Sequence, residues 1–383
     1  MKTVSLEEFM PTRTPSVNPA KHPDEVFELW SIPAFDDGRP EILAGAEIGS
    51  SKKCVEPGDV LLSRIVPHIR RAWIVEPSTD SRQIASGEWM IFRGTDFDAN
   101  YLRHVLISDP FHAQFMQTVA GVGGSLLRAR PESVKAIKIP LPPLEEQKRI
   151  AGILDQADAL RRLRARALDK LKTLGQAIFY EMFGDELQSG NRLKLADLIE
   201  VRSSLDDPKL PENASLPHVG PEHISSGSGI VDWVRVRTCA EDGVTSGKYV
   251  FQKGDVLFSK IRPYLNKVAM GDRKGMCSAD MYALHVLNES ISSRFLHFIL
   301  GSRDFLSYAD TVSNRANIPK MNRTQLLAYT TPVPTLAAQQ EFEATMAKLD
   351  IQANLIRNAK DISDQLFGSL QAKAFSGRLA SER

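Results

Sequence analysis

The chain has 383 residues, of which 42% are hydrophobic and 25% are charged. That length exceeds what one hydrophobic core usually organises, and the composition excludes a disordered tail or a fibrous repeat. The 48 lysines and arginines against 47 acidic residues exclude a protein that holds nucleic acid through bulk positive charge, but they leave local basic surfaces open.

The sequence also bears on the compartment. No stretch approaches the roughly 20 apolar residues of a membrane span, and the acidic Glu7 and Glu8 disfavour a signal peptide. Cys54, Cys239 and Cys277 lack the spacing of a disulfide scaffold or a zinc site. We therefore expect a two-domain protein of the reducing cytoplasm with no membrane partner.

The chain contains an internal repeat. The stretch Gly58–Arg71 matches Gly254–Lys267 at an offset of 196 residues, with Gly, Asp, Val, Leu, Ser, Ile and Pro identical. A second match, at an offset of 192 residues, pairs the proline-rich motifs Pro140–Gln147 and Pro332–Gln339. This period far exceeds the 20–50 residues of stacked repeats, so we predict a tandem duplication of one long unit.

Each repeat begins with what the sequence indicates is a mixed α/β domain. Short runs of Val, Ile, Phe and Tyr broken by Gly, Pro, Ser and Asp predict strands such as Val60–Leu62 and Val256–Phe258. Tyr101–Ser108 and Phe295–Leu300 are predicted to form short helices. Each domain then ends at its proline-rich motif.

A long helix is predicted after each motif. Leu144–Phe183 shows apolar residues at three-four spacing and should end at Gly184, and Leu336–Phe375 should stop at Gly377. The two helices most simply bury their apolar stripes against each other in an antiparallel coiled coil. The alternative is that each helix packs on its own domain. The predicted coiled-coil or partner interface consists of Ile150, Ile153, Leu160, Leu171, Leu174, Ile178, Leu349, Leu355, Ile362, Leu366 and Leu370.

These elements set the predicted boundaries. A first domain spans residues 1–143, a central helix 144–184, a second domain 185–335 and a C-terminal helix 336–383. The fold class is mixed α/β with an internal pseudo-twofold repeat.

Basic residues concentrate in corresponding segments of the two repeats. One pair of segments is the repeated stretch itself, and a second pair, Gly121–Arg130 and Ser313–Arg323, combines small or amide side chains with Arg and Lys and no acid. Such loops suit contact with phosphates and base edges, although solvated surface is the competing interpretation. The candidate DNA-binding residues are Arg64, Arg70, Arg71, Arg128, Arg130, Lys260, Arg262, Asn266, Lys267, Arg315, Asn317, Lys320 and Arg323.

Signatures of catalysis are missing from the sequence. It contains no GxxxxGK[ST] phosphate loop, no HExxH or CxxC metal motif and no GxSxG nucleophile elbow. His104 and His297 lie on apolar, helical stretches and are interpreted as packing residues. We predict no catalytic, metal-binding or cofactor-binding residues, with an enzyme of unfamiliar type as one remaining alternative.

The order of domain, LPPLEEQ-like motif, long helix, second domain, second motif and second helix resembles the specificity subunit of type I restriction–modification systems. Gly254–Lys267, Leu141–Ile153 and their counterparts carry the resemblance, which covers almost the whole chain. It implies a non-catalytic reader of double-stranded DNA. Two target recognition domains would each read half of a split sequence, and an antiparallel coiled coil would fix the gap between the halves.

The resemblance also implies partners. Two methyltransferase subunits would dock on the chain, with restriction–translocase subunits as further partners, and S-adenosylmethionine, ATP and Mg²⁺ would belong to those subunits. This chain lacks the (D/N)PP(Y/F) motif of an adenine methyltransferase, and its second proline-rich motif departs from the pattern at Ala337 and Ala338. The alternative class is a non-catalytic coiled-coil adaptor that binds proteins and not DNA.

Overall fold

The computed structural model describes residues 2–77, 81–121, 127–190, 192–287, 290–313 and 318–379. The chain divides into two compact units. Unit 1 comprises Met1–Ala165 with Asn358–Arg383, and unit 2 comprises Arg166–Arg357.

Unit 1 contains the α/β part of the first repeat. Its strands are β1 (Thr3–Ser5), β2 (Ser16–Val17), β3 (Val26–Trp30), β4 (Glu41–Ala44), β5 (Lys52–Cys54), β6 (Val60–Ser63), β7 (Ala72–Ile74), β8 (Arg82–Ala85), β9 (Trp89–Phe92), β10 (Val119–Ala120), β11 (Arg128–Ala129) and β12 (Lys138–Pro140). Its helices are α1 (Ile32–Asp37), α2 (Ala99–Leu106), α3 (Asp109–Gln117), α4 (Pro131–Lys135) and the first part of α5 (Leu144–Ser189). One sheet has the strand order β2-β5-β8-β3-β4, and another has the order β7-β6-β9.

Unit 2 contains the α/β part of the second repeat. Its strands are β13 (Arg192–Lys194), β14 (Ile199–Val201), β15 (Leu205–Asp206), β16 (Pro217–Val219), β17 (Arg237–Thr238), β18 (Lys248–Phe251), β19 (Val256–Ser259), β20 (Val268–Met270), β21 (Gly275–Cys277), β22 (Met281–Val286) and β23 (Thr330–Pro332). Its helices are α6 (Leu195–Leu198), α7 (Pro211–Ala214), α8 (Ser293–Leu300), α9 (Arg303–Ser313), α10 (Arg323–Ala328) and the first part of α11 (Leu336–Phe375). Here the sheets have the orders β15-β18-β21-β16-β17 and β14-β22-β19-β20.

The two units share their strand pairing, which confirms the predicted duplication. In unit 1, β3 runs parallel to β8, and β6 lies between the antiparallel β7 and β9. In unit 2, β16 runs parallel to β21, and β19 lies between the antiparallel β20 and β22. An early strand also pairs with the strand that precedes the proline-rich motif, β1 with β12 and β13 with β23.

The predicted strands and short helices are confirmed with small shifts at their ends. The central strands β6 and β19 are buried along their whole length because each has a strand on both sides and helices over the sheet. The helix predicted over Tyr101–Ser108 starts earlier, because the side chain of Asp98 caps it by accepting a hydrogen bond from the Tyr101 backbone N–H at 2.9 Å.

The long helices pack in antiparallel fashion within each unit. In unit 1, the beginning of α5 buries Ile150 and Leu154 in the core that also holds Phe367, near the end of α11. In unit 2, the later part of α5 meets the beginning of α11, and the rings of Phe183 and Phe342 lie 5.4 Å apart. The helices therefore pack on each other as well as on the α/β elements of their unit.

The predicted end of the first helix at Gly184 is wrong. The helix continues to Ser189, although an interior glycine costs about 1 kcal/mol relative to alanine. Phe183 and Leu187 are both buried on this stretch, and their burial offsets that cost. The second helix spans the predicted residues, and Gly377 follows it with a left-handed φ of +77°.

The predicted helix interface is only partly buried. Ile150 is buried, and five residues are partly buried: Ile153, Leu171, Ile178, Leu349 and Leu370. The other five are exposed and lie outside the buried seam: Leu160, Leu174, Leu355, Ile362 and Leu366. Aromatic side chains of the two helices are buried instead, among them Phe179, Phe183, Phe342 and Phe367.

Candidate nucleic-acid interface

Each unit presents two chain segments that are joined by backbone hydrogen bonds. In unit 1 the segments are 64–71 and 127–130, and in unit 2 they are 260–267 and 318–323; we call each pair a bridged loop. Ile65 forms a β-bridge with Arg128, and Ile261 forms one with Lys320. The two pairs of segments predicted from sequence as basic loops are therefore brought together, in the same way in both units.

Further hydrogen bonds repeat from one bridged loop to the other. The backbone N–H of Val66 donates to the carbonyl oxygen of Leu127 at 3.2 Å, and that of Arg262 donates to Pro319 at 2.7 Å. Val66 and Arg262 have φ values of +49° and +48°, in the left-handed region that non-glycine residues rarely adopt. The backbone of the bridged loop, which we call the loop frame, thus has the same conformation whether this position carries Val66 or Arg262.

The cations of the unit 1 bridged loop are largely paired with carboxylates. The Nε of Arg64 lies 2.9 Å from Oε2 of Glu88, and Nη2 of Arg128 lies 3.2 Å from Oε1 of the same carboxylate. Nη1 of Arg70 lies 2.6 Å from Oδ1 of Asp109. Arg130 is exposed, and its side chain forms no ion pair with a described residue.

Arg71 has a structural role that the sequence did not reveal. Its side chain is buried, and its Nε and Nη2 each donate to a carboxylate oxygen of Asp36 at 2.8 Å. The hydrogen bond from Arg71 holds the pKa of Asp36 below its ordinary value. The structure therefore places Arg71 in a buried ion pair and not on the exposed surface of the loop.

Glu88 lies outside the unit 1 bridged loop and contacts two of its arginines. Burial raises the pKa of its carboxyl group, but hydrogen bonds from Arg128 and Arg64 outweigh that effect and the pKa lies below its ordinary value. Glu88 therefore stays ionised and balances part of the positive charge of this loop.

The unit 2 bridged loop keeps more of its charge free. Arg262, Lys320 and Arg323 are exposed, and none of them pairs with a carboxylate in the described part of the chain. Lys260 is buried with its Nζ 5.0 Å from the centre of the Tyr282 ring. Burial, helped by the nearby charge of Lys320, lowers the pKa of Lys260.

The remaining candidates of unit 2 differ in their positions. The Nζ of Lys267 donates to the carbonyl oxygen of Pro221 at 2.7 Å, and the carbonyl oxygen of Asn266 accepts from the backbone of Gly227 at 2.7 Å. These two hydrogen bonds therefore join the end of the bridged loop to residues 221 and 227. Arg315 and Asn317 lie outside the described residues.

The glutamine that ends each proline-rich motif is a second feature whose role the sequence did not reveal. Gln147 is buried and accepts from the Asp98 backbone N–H at 2.8 Å, while its amide nitrogen donates to the carbonyls of Asp96 and Pro142 at 3.2 and 2.9 Å. Gln339 makes the corresponding bonds to Ser292, Ser290 and Pro334. Each glutamine fixes the start of a long helix to the loop that precedes α2 or α8.

One histidine outside the bridged loops is buried in the contact between two helices. His104 lies between α2 and α5, with its Nε2 2.7 Å from Oδ1 of Asp155, and burial, reinforced by Arg103, lowers its pKa. Within the described ranges, no group of three or more His, Cys, Asp or Glu residues is placed to hold a metal ion. Helices of those same ranges are too short or too polar to cross a membrane.

The fold and these loops define a duplicated α/β protein with paired long helices and one cation-bearing loop per repeat. The model of the type I restriction modification DNA specificity domain matches residues 92–173 and 193–363. The chain belongs to this family.

Individual relatives agree with this assignment. The chain is 35% identical over 194 residues to the type I restriction enzyme EcoDI specificity subunit of Escherichia coli, over 49% of this chain and 41% of the relative. It is 24% identical over 246 residues to the MjaVIII specificity subunit of Methanocaldococcus jannaschii, over 59% of this chain and 58% of the relative. The matches thus span less than two thirds of either relative.

Solved structures show the same fold. A type I restriction–modification system S subunit from M. genitalium has a TM-score of 0.55 at 12% identity, with 98% of this chain and 96% of that chain covered. A chain from a structure of a type I R-M system has a TM-score of 0.54 at 21% identity, with 98% of both chains covered.

Proposed function

We propose that the chain is the specificity subunit of a type I restriction–modification complex. In this proposal each unit reads one half of a split target in double-stranded DNA through its bridged loop. The observation that carries the proposal is the repeated loop frame, which presents exposed cations in both units: Arg130 in unit 1, and Arg262, Lys320 and Arg323 in unit 2. Phosphate contacts from such residues supply nearly all of the non-specific affinity and a large share of the specific affinity of a DNA-binding protein.

The chain itself would carry out no catalysis. Two methyltransferase subunits would bind it and supply S-adenosylmethionine, and restriction–translocase subunits would bring ATP and Mg²⁺. The complex would act on DNA in the cytoplasm. The names of the relatives, which are specificity subunits of type I restriction enzymes, support this assignment of partners.

The long helices would determine the gap between the half-sites. Half-sites read from one face of the duplex lie about one helical turn, or 34 Å, apart. This spacing is measured between the centres of the half-sites, at about 3.4 Å per base-pair step. The part of it that neither half-site covers is a degenerate gap on the order of 5–8 base pairs.

Mapping of N6-methyladenine across the source genome, with and without this gene, tests the proposal. We expect one split motif to lose its methylation on deletion and to regain it when the gene is restored. An unchanged methylation pattern would count against the proposal. The adaptor alternative predicts in addition that the purified chain has no salt-dependent affinity for duplex DNA.

A further inference from the structure

Glu88 accepts hydrogen bonds from two arginines of the unit 1 bridged loop. Arg64 uses Nε alone, at 2.9 Å from Oε2, whereas Arg128 approaches with Nη2 at 3.2 Å from Oε1 and with Nε at 3.3 Å from both oxygens. The side chains of Glu88, Arg64 and Arg128 are 26%, 33% and 40% exposed, so a ligand can reach all of them.

The hydrogen bond between Nε of Arg64 and Glu88 leaves the two terminal nitrogens of Arg64 free. A guanidinium group has five N–H donors in one plane, and Arg64 engages only the one at Nε among the described residues. The terminal nitrogens Nη1 and Nη2 therefore remain available as a fork whose plane is fixed by the carboxylate behind it. Such a fork matches the O6 and N7 acceptors that guanine presents in the major groove.

The backbone also holds Glu88 and Arg64 together. The N–H of Arg64 donates to the carbonyl oxygen of Glu88 at 3.0 Å. Arg64 continues from the end of β6, and Glu88 immediately precedes β9, the neighbouring strand. The pair is thus mounted on rigid elements, which keeps the cost of ordering the arginine side chain on binding small.

Unit 2 has the same backbone contact without the side-chain arrangement. The N–H of Lys260 donates to the carbonyl oxygen of Asp280 at 3.0 Å, so Lys260 and Asp280 occupy the places of Arg64 and Glu88. The exposed carboxylate of Asp280 forms no ion pair within the described chain, and a lysine has no planar fork. The arrangement is therefore specific to unit 1.

We propose that Glu88 is a positioning residue that orients Arg64 to read a guanine in the half-site of unit 1. This inference depends on the proposed function, because it requires that unit 1 read DNA. Glu88→Gln removes the negative charge that fixes the fork and leaves the arginines of the loop without that counter-charge. Discrimination at one G·C pair should then fall by about 10-fold, while the affinity for random duplex should stay equal or rise.

Selection from a duplex pool with about 30 randomised base pairs, enough to hold two half-sites one helical turn apart, tests the inference with the full chain in complex with its methyltransferase subunits. We expect the wild type to enrich a split motif, and Glu88→Gln to lose the G·C preference at one position of one half-site only. Asp280→Asn is the matched control and should leave both half-sites unchanged. A Glu88→Gln profile identical to that of the wild type would overturn the inference.

Two further measurements separate a positioning role from a structural one. Arg64→Lys keeps the charge but lacks the fork, so it should lose the same position, and an unchanged preference there would contradict our assignment. Replacing that guanine with 7-deazaguanine should weaken wild-type binding but not binding by Glu88→Gln; equal weakening of both would also overturn it. If the wild type enriches no split motif at all, the proposed function itself fails.

Discussion

The two bridged loops have the same backbone and different electrostatics. Corresponding hydrogen bonds agree in their donors and acceptors, and Val66 and Arg262 adopt the same left-handed conformation. In unit 1, however, Glu88 and Asp109 neutralise most of the cations, while the exposed cations of unit 2 have no carboxylate partner among the described residues. Duplication has preserved the backbone of the loop while its side chains have diverged, as the proposed reading of two half-sites of different sequence would require.

The junction between each α/β part and its long helix should be the most sensitive part. Gln147→Ala removes the hydrogen-bond partner of one part-buried N–H and of two carbonyls in unit 1, and each unsatisfied buried group costs about 1–3 kcal/mol. We expect the free energy of unfolding to fall by about 2–4 kcal/mol, since water replaces some of these hydrogen bonds.

Denaturant titration followed by tryptophan emission measures this loss of stability, because Trp30, Trp73 and Trp89 lie in unit 1. Gln156→Ala, at an exposed position of the same helix, is the control and should change the stability by less than about 0.5 kcal/mol. A decrease below about 1 kcal/mol for Gln147→Ala would show that the glutamine does not hold the start of the long helix to the loop before α2.

The charge difference between the loops predicts that the unit 2 cations contribute more to DNA binding than the paired cations of unit 1. We expect this effect to be smaller than the loss of stability in Gln147→Ala. Replacing Arg262, Lys320 and Arg323 with Gln should weaken binding to duplex DNA about 10- to 100-fold at moderate salt. The slope of log K against log salt should shrink by about 0.9 for each phosphate that the variant no longer neutralises. Arg70→Gln in unit 1 should change the slope less, because Asp109 already neutralises that arginine.

A salt titration of the binding constant checks both statements. Gln substitutions at three exposed lysines of unit 2, Lys209, Lys253 and Lys274, provide a control with the same change in net charge. If this control variant were weakened as much as the loop variant, total charge and not the bridged loop would explain binding.

The smallest expected difference between the units is their response to acid. Burial, with help from Arg294, lowers the pKa of His297 in unit 2 to about 4. Between that value and the ordinary pKa near 6.5, the unfolded chain binds a proton that the folded chain does not. The contribution of neutral His297 to the free energy of unfolding is therefore fully present above about pH 6.5 and is lost as the pH falls toward 4. We expect this loss to be roughly 1–2 kcal/mol, since the ring keeps some contact with solvent.

Unit 1 should respond less, because Asp155 lies against His104 and favours its protonated form. Unfolding free energies at about pH 7.5 and about pH 5, on either side of the ordinary histidine pKa, measure the effect in the wild type and in His297→Gln. We expect the variant to show the flatter pH dependence; the same dependence in both proteins would rule out His297 as its source.

Much of the fold could be predicted from the sequence because the sequence pattern of each element occurs in both repeats. The strands β6 and β19, the short helices and the second long helix all lie where hydrophobic pattern and turn residues indicated. The predicted end at Gly184 failed, since a local signal for helix termination was outweighed by the tertiary burial of Phe183 and Leu187.

The candidate site was less accessible to sequence reasoning. Arg71 and Asp36 are 35 residues apart, and Arg64 and Glu88 are 24 apart, so the ion pairs that neutralise the unit 1 loop depend on sheet pairing. A count of basic residues along the chain treats a paired and a free arginine alike. Five residues of the predicted helix interface are exposed for a similar reason, because leucine spacing does not show which face of one helix meets the phenylalanines of the other.

The left-handed residue at the start of each bridged loop has a consequence for how new specificities arise. Both Val66 and Arg262 precede a proline, which disfavours right-handed helix at the residue before it. Backbone sterics at this dipeptide therefore disfavour an α-helix at the residue before the proline, and in unit 2 only a short 3₁₀ turn, Pro263–Leu265, follows it. Under the proposed function, the side chains that face DNA could therefore change while the backbone at Val66 and Arg262 keeps its conformation, and a new target would not require a new fold.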